Sequence, residues 1–67
     1  MLDEFYVICM KTHKGKTIYV GEGKGNSINW IFDINEAIWY ETEKEAEEFA
    51  NRYFKNFDKW FIKEVYA

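Results

Sequence analysis

Thr42-Glu43-Lys44-Glu45-Ala46-Glu47-Glu48-Phe49-Ala50-Asn51-Arg52-Tyr53-Phe54-Lys55-Asn56-Phe57 is the stretch that decides the fold. Its opening is a capping box: the Thr42 hydroxyl can accept from the third helical amide while Glu45 reaches back. Ala46, Phe49, Ala50, Tyr53, Phe54 and Phe57 then recur along one helical face. Glutamates crowd the positive end of the helix dipole, and Arg52 and Lys55 fall toward the negative end. The pattern predicts one amphipathic helix over residues 43–56, with Asn56 as its C-cap. Its apolar side needs a sheet to cover.

Both flanks supply one. After the helix, Phe57-Asp58 reverses the chain and Lys59 to Tyr66 reads as a strand. Before it, Phe5 to Thr12 is a continuous β-branched and aromatic run, the signature of a central strand. His13-Lys14-Gly15-Lys16 is turn chemistry, with a glycine able to take positive φ, and Thr17 to Val20 closes a hairpin. Ser27 to Phe32 reads as a short third strand. Asp33 to Glu36 reads as a turn, with one helical turn at Asn35–Ala37, and Ile38 to Glu41 as another short strand. The expected fold is α+β: a single antiparallel sheet of four to five strands with one helix packed on one face, in the order β-β-(β)-β-α-β. The 67 residues form a single domain, 1–67.

Composition narrows the function classes. Hydrophobic residues make up 48% of the chain and aromatics 21%, enough for a core and against disorder. The net charge of −3 supplies no field that would attract phosphates. One cysteine permits no internal disulfide, and no Cys/His cluster implies zinc. The first residues lack a basic leader and no apolar run reaches membrane-spanning length, so the expected setting is a reducing cytoplasm.

No enzyme site is legible. His13 sits in a turn without a carboxylate partner, and Cys9 in a strand reads as a small core residue. The Gly21-x-Gly23-x-Gly25 spacing with Lys24 is a candidate anion nest, but it matches neither phosphate-binding nor dinucleotide motifs. Glu41, Glu43, Glu45, Glu47 and Glu48 form an acidic cluster that complements the helix dipole, or meets a basic partner. Strands 5–12 and 60–66 carry apolar residues at both parities, so both sheet faces want cover while one helix can supply only one. The expected binding residues are Trp30, Trp39, Tyr40, Trp60 and Tyr19 from the aromatic reservoir, with Gly23 and Lys24 from the loop. Base stacking on an open sheet is disfavoured, because Lys11, Lys16, Lys59 and Lys63 are thin basic interleaving.

Tyr6-Val7-Ile8, Gly15 to Val20, Trp30 and the block Asn35 to Ala50 resemble small phage- and prophage-encoded α+β proteins of the host-takeover or anti-defence type. These share a strand, turn-Glu-Ala, strand, Thr-x-x-Glu-Ala-x-x-Phe helix, strand layout. The resemblance implies an accessory interaction protein that inhibits or modulates a host or defence protein. The alternative is an oligomeric sequestrant that holds a signalling nucleotide without turnover, its pockets lying between subunits. Neither reading needs a cofactor, a metal or a membrane.

Overall fold

The computed structural model describes residues 3–24, 27–54 and 59–67. Four strands form one antiparallel sheet: β1 (Glu4–Lys11), β2 (Thr17–Glu22), β3 (Ile28–Ile31) and β4 (Trp60–Tyr66), in the spatial order β3-β2-β1-β4. The apolar run is thus a central strand, as its continuity requires. Its turn to β2 is closed by Gly15 at φ +78°, whose amide donates to the Thr12 carbonyl at 2.9 Å. β4 returns beside β1 in an unbroken ladder from Glu4↔Tyr66 to Met10↔Trp60. Beyond it, Asp3 and Ala67 exchange two backbone hydrogen bonds of 2.9 and 3.0 Å.

The β1–β2 hairpin is split. Its ladder runs only over Cys9↔Tyr19, Met10↔Ile18 and Lys11↔Thr17. Continuing that register would set Tyr6 against Glu22, but Glu22 pairs with Ile28 on β3. Tyr6 instead exchanges both of its backbone bonds with Tyr40, each 2.8 Å, and the Ile38 amide donates to the Val20 carbonyl at 3.0 Å. Residues 38–40 are therefore a wedge in the open end of the hairpin. The sequence predicts a strand over Ile38 to Glu41; the chain there makes one antiparallel bridge at Tyr40. The wedge is tied to one residue on each side, too few for a ladder.

The helix α1 (Glu43–Tyr53) begins as its capping box requires, with the Thr42 hydroxyl accepting from the Glu45 amide at 3.1 Å. It ends at Phe54, whose amide donates to the Ala50 carbonyl at 2.7 Å. The expected extension to Asn56 and the contact of Phe57 fall outside the described residues. Ala46, Ala50 and Phe54 pack on Ile8 and Val20, flanked by Tyr6, Ile28, Trp30, Ile38, Tyr40, Phe49, Trp60 and Ile62. The alanines let the helix axis approach the sheet, and the aromatics fill the rim. Complete burial of Ile8 and Val20 contributes about 1.5–3 kcal/mol each. Tyr53, expected on the buried face, is 49% exposed and stacks on Phe49 with ring centroids 4.5 Å apart. Strand β3 is shorter than the predicted Ser27–Phe32, and Phe32 is left 70% exposed.

Candidate functional site

Strand alternation puts Phe5, Val7, Cys9, Tyr19, Ile31, Phe61, Lys63 and Val65 on the face away from the helix. The pairing lines up Ile31, Tyr19, Cys9 and Phe61 in a single row across all four strands. Cys9 is fully buried, while Phe61 keeps 38% of its surface open. The small thiol thus lies between larger neighbours that stand above it. One row along, Val7 pairs with Lys63, and Phe5 then pairs with Val65.

This face is not as open as the sequence predicts. Trp39, the middle residue of the wedge, lies over Phe5 with ring centroids 5.4 Å apart and a 48° tilt. Its indole Nε1–H donates to the Ile34 carbonyl at 2.9 Å, tying it to a 3-10 turn over Ile34–Glu36. Asp33 caps that turn: its carboxylate accepts from the Asn35 amide at 2.9 Å. On the β3 side, Ile31 lies across Gly21, where an added Cβ would sit 2.8 Å from the Ile31 Cδ1. The segment that follows β3 therefore covers one part of the face. Among the described residues no such cover reaches the strip from Tyr19 past Phe61 to Val65, which includes Lys63.

Seven residues are expected to bind, and the structure brings two of them, Tyr19 and Trp39, to this face. Trp30 and Trp60 pack on the helix side, where Trp30 meets Phe54 with centroids 5.3 Å apart. Tyr40 is also there, its ring 5.7 Å from Phe49 and its hydroxyl buried without a hydrogen-bond partner among the described residues. Burial pushes the Tyr40 phenol up to about 12, with Tyr53 adding to the effect. Gly23 and Lys24 lie in the β2–β3 loop, but the Gly23 amide donates to the Ser27 carbonyl at 3.0 Å and the Ser27 amide to the Lys24 carbonyl at 3.2 Å. The central amide of the candidate nest is thus committed to the loop itself, and Gly25 lies outside the described residues. Phe61 is the residue that sequence reading did not single out. Its signal was present, since it has the opposite parity to Trp60 and Ile62, but parity alone does not say which side the helix takes.

Burial pushes the Cys9 thiol up to about 11, only partly offset by the nearby Lys63, so at neutral pH it is a protonated, poor nucleophile. Tyr6 donates to the Glu4 carboxylate at 2.7 Å and Tyr66 to Glu64 at 2.9 Å; these bonds raise both phenols, Tyr6 to about 12. A cleft of about 560 Å³ lies at the β3 end, where Glu22 and Glu36 join Asn29, Ile31 and Trp39 in its wall. Two carboxylates, and no basic side chain among its described lining, suit a cation better than a phosphate. No group of three or more His, Cys, Asp or Glu side chains that could hold a metal occurs among the described residues. No helix among them is long and apolar enough to cross a membrane.

Comparison of the chain with protein-family models, curated proteins and solved structures finds no match.

Proposed function

We propose that this protein is a small interaction protein that acts by occupying a partner's surface, without turnover. Its contact surface is the strip Tyr19, Phe61, Lys63 and Val65 on the face away from the helix. The observation that carries this reading is the row across the sheet in which buried Cys9 is flanked by Tyr19 and the 38% exposed Phe61. Aromatic anchors beside exposed lysines, Lys63 and Lys11 on the same face, presented by strands rather than loops, form the sort of preorganised patch that dominates binding energy. The acidic outer surface of α1 is more solvated and is the weaker candidate.

The resemblance to phage accessory proteins supports a partner in the bacterial cytoplasm, a host or defence protein whose action the bound chain blocks. The buried, protonated thiol and a turn histidine without a carboxylate partner among the described residues support binding over catalysis. The test is capture from bacterial lysate with the unmodified chain, with Phe61→Ser, with Tyr19→Ala and with a helix variant in which Glu47 and Glu48 become Lys. A specific protein retained by the unmodified chain and the helix variant, and lost with the two face variants while they stay folded, is the expected result. Retention by both face variants and loss with the helix variant would move the site to α1.

A further inference from the structure

Strand β4 is an edge of the sheet seven residues long. The ladder fixes which of its backbone groups point outward. Asp3 and Ala67 are a doubly hydrogen-bonded pair, and the register from Glu4↔Tyr66 onward contains no interruption. Bonded and non-bonded pairs alternate in an antiparallel ladder. Phe61, Lys63 and Val65 therefore address β1, while Trp60, Ile62, Glu64 and Tyr66 turn N–H and C=O away from it. Among the described residues no strand pairs with that side. Phe61 and Tyr66, two of the large apolar side chains most open to solvent, belong to this same strand. An open, apolar edge of this length is a template for another strand.

We propose that the strand it takes is β4 of a second copy, antiparallel, with the two-fold axis at Ile62. Charge and the length of overlap select the register, since an axis near the end of β4 leaves most of the strand unpaired. An axis at Lys63 sets two lysines against each other in the close, non-bonded position, and an axis at Glu64 faces two carboxylates; directly opposed like charges destabilise a pair. An axis at Ile62 instead places Ile62 against the partner's Ile62, Lys63 against the partner's Phe61, and Glu64 against the partner's Trp60. Each position from Trp60 to Glu64 then meets an apolar or complementary neighbour, and the lysine stem lies along the phenyl ring. The outward amides of Ile62 and Glu64 gain acceptors. The product is a continuous eight-stranded sheet in which two contact strips become one face. This pairing does not depend on the identity of any other partner.

The test is sedimentation velocity and native mass spectrometry of the full chain over a concentration series, with two kinds of variant. The unmodified chain is expected to be a reversible dimer. Glu64→Pro removes an outward N–H and leaves the β1 ladder intact, a place where an edge strand tolerates proline. It removes two symmetric bonds and should weaken the dimer roughly tenfold to a hundredfold while circular dichroism stays unchanged. Under oxidation, and with Cys9→Ala in both chains so that no thiol faces position 61 within a chain, a mixture of Phe61→Cys and Lys63→Cys chains should form disulfide-linked dimers, whereas either variant alone should not. The second experiment decides the matter if the proline variant fails to fold. A monomer at millimolar concentration, a folded Glu64→Pro dimer of full affinity, crosslinking by either cysteine variant alone, or no crosslink in the mixture would each overturn the proposal.

Discussion

The two faces of the sheet are sealed by different means. On one, a helix lays Ala46, Ala50 and Phe54 over Ile8 and Val20, and a ring of aromatics completes the cover. On the other, the cover is a stretch of irregular chain held by a capped turn and one indole, and it reaches only part of the way. The first cover is repetitive and shares its load among many contacts. The second hangs on a few, of which Trp39 is the most exposed to test. In a domain this small, with a total stability of order 5 kcal/mol, that difference is measurable one residue at a time.

Ile8→Ala should have the largest effect, a loss of about 2–5 kcal/mol that leaves the chain close to its unfolding midpoint in thermal or urea melts. Val7→Ala, its neighbour on the opposite face and equally buried, removes fewer methyl groups and should cost about 2 kcal/mol. Equal losses at the two positions would show that the irregular cover packs as well as the helix. Next comes Trp39→Ala, expected to cost about 2 kcal/mol because the half-buried ring and the wedge it anchors are lost together. Trp39→Phe keeps the contact with Phe5 but not the bond to Ile34, and should cost only about 1 kcal/mol. A Phe variant as damaged as the Ala variant would make the hydrogen bond, rather than the ring, the fastening of that cover.

The alkaline melt separates the faces by chemistry. Folding raises the Cys9 thiol from 9 to about 11 and the Tyr40 phenol from 10 to about 12. In each case the folded state holds its proton more tightly than the unfolded state does. The stability these groups contribute is intact below pH 9 and falls as pH rises, through 9–11 for the thiol and 10–12 for the phenol. Tyr6, also raised to about 12 through its bond to Glu4, adds to the upper window. Melting temperature recorded from pH 8 to 12 should decline across that range, and Cys9→Ala should flatten its first part. An unaltered slope in the variant would mean that the thiol is not sealed beneath its neighbours.

The smallest effect has the opposite sign. Tyr40→Phe deletes a buried hydroxyl that has no partner among the described residues, while the ring contact with Phe49 stays. It should leave stability unchanged or raise it by up to about 1 kcal/mol. Destabilisation by more than that would show that the hydroxyl is bonded in solution.

The same contrast explains what was legible in the sequence. The helix and the central strand are local patterns: a cap at Thr42, apolar residues at helical spacing, and a continuous β-branched run, each satisfied within about a dozen residues. The α+β sheet with its single helix follows from them. The wedge is not local. Ile38, Trp39 and Tyr40 read as a strand because they alternate, but their partners Val20 and Tyr6 are selected by a gap in a hairpin that sequence reading treats as closed. For the same reason the sequence reads Trp30, Trp60 and Tyr40 as binding residues, whereas they pack on the helix side of the sheet. An aromatic count says how many rings need a place, and parity says which rings share a side. Only the seating of the helix on Ile8 and Val20 says which side stays open, and the register then sets Phe61 in one row with Cys9 and Tyr19.

The position of β4 has a consequence for how the chain assembles. During synthesis β1 emerges early, yet its neighbour on one side is made only at residues 60–66, and the Tyr6 backbone on its other side waits for Tyr40. The turn-proximal part of the hairpin can zip as soon as it is made; the rest of the central strand stays unsatisfied until residues 60–66 are made. Long-range closure of this kind slows folding relative to a helical bundle of equal size. Cutting the chain within the 13–16 turn and joining residues 3 and 67, already adjacent, would make β1 and β4 neighbours in sequence. The permuted chain should reach the same fold markedly faster, its most distant pairing turned into a local hairpin.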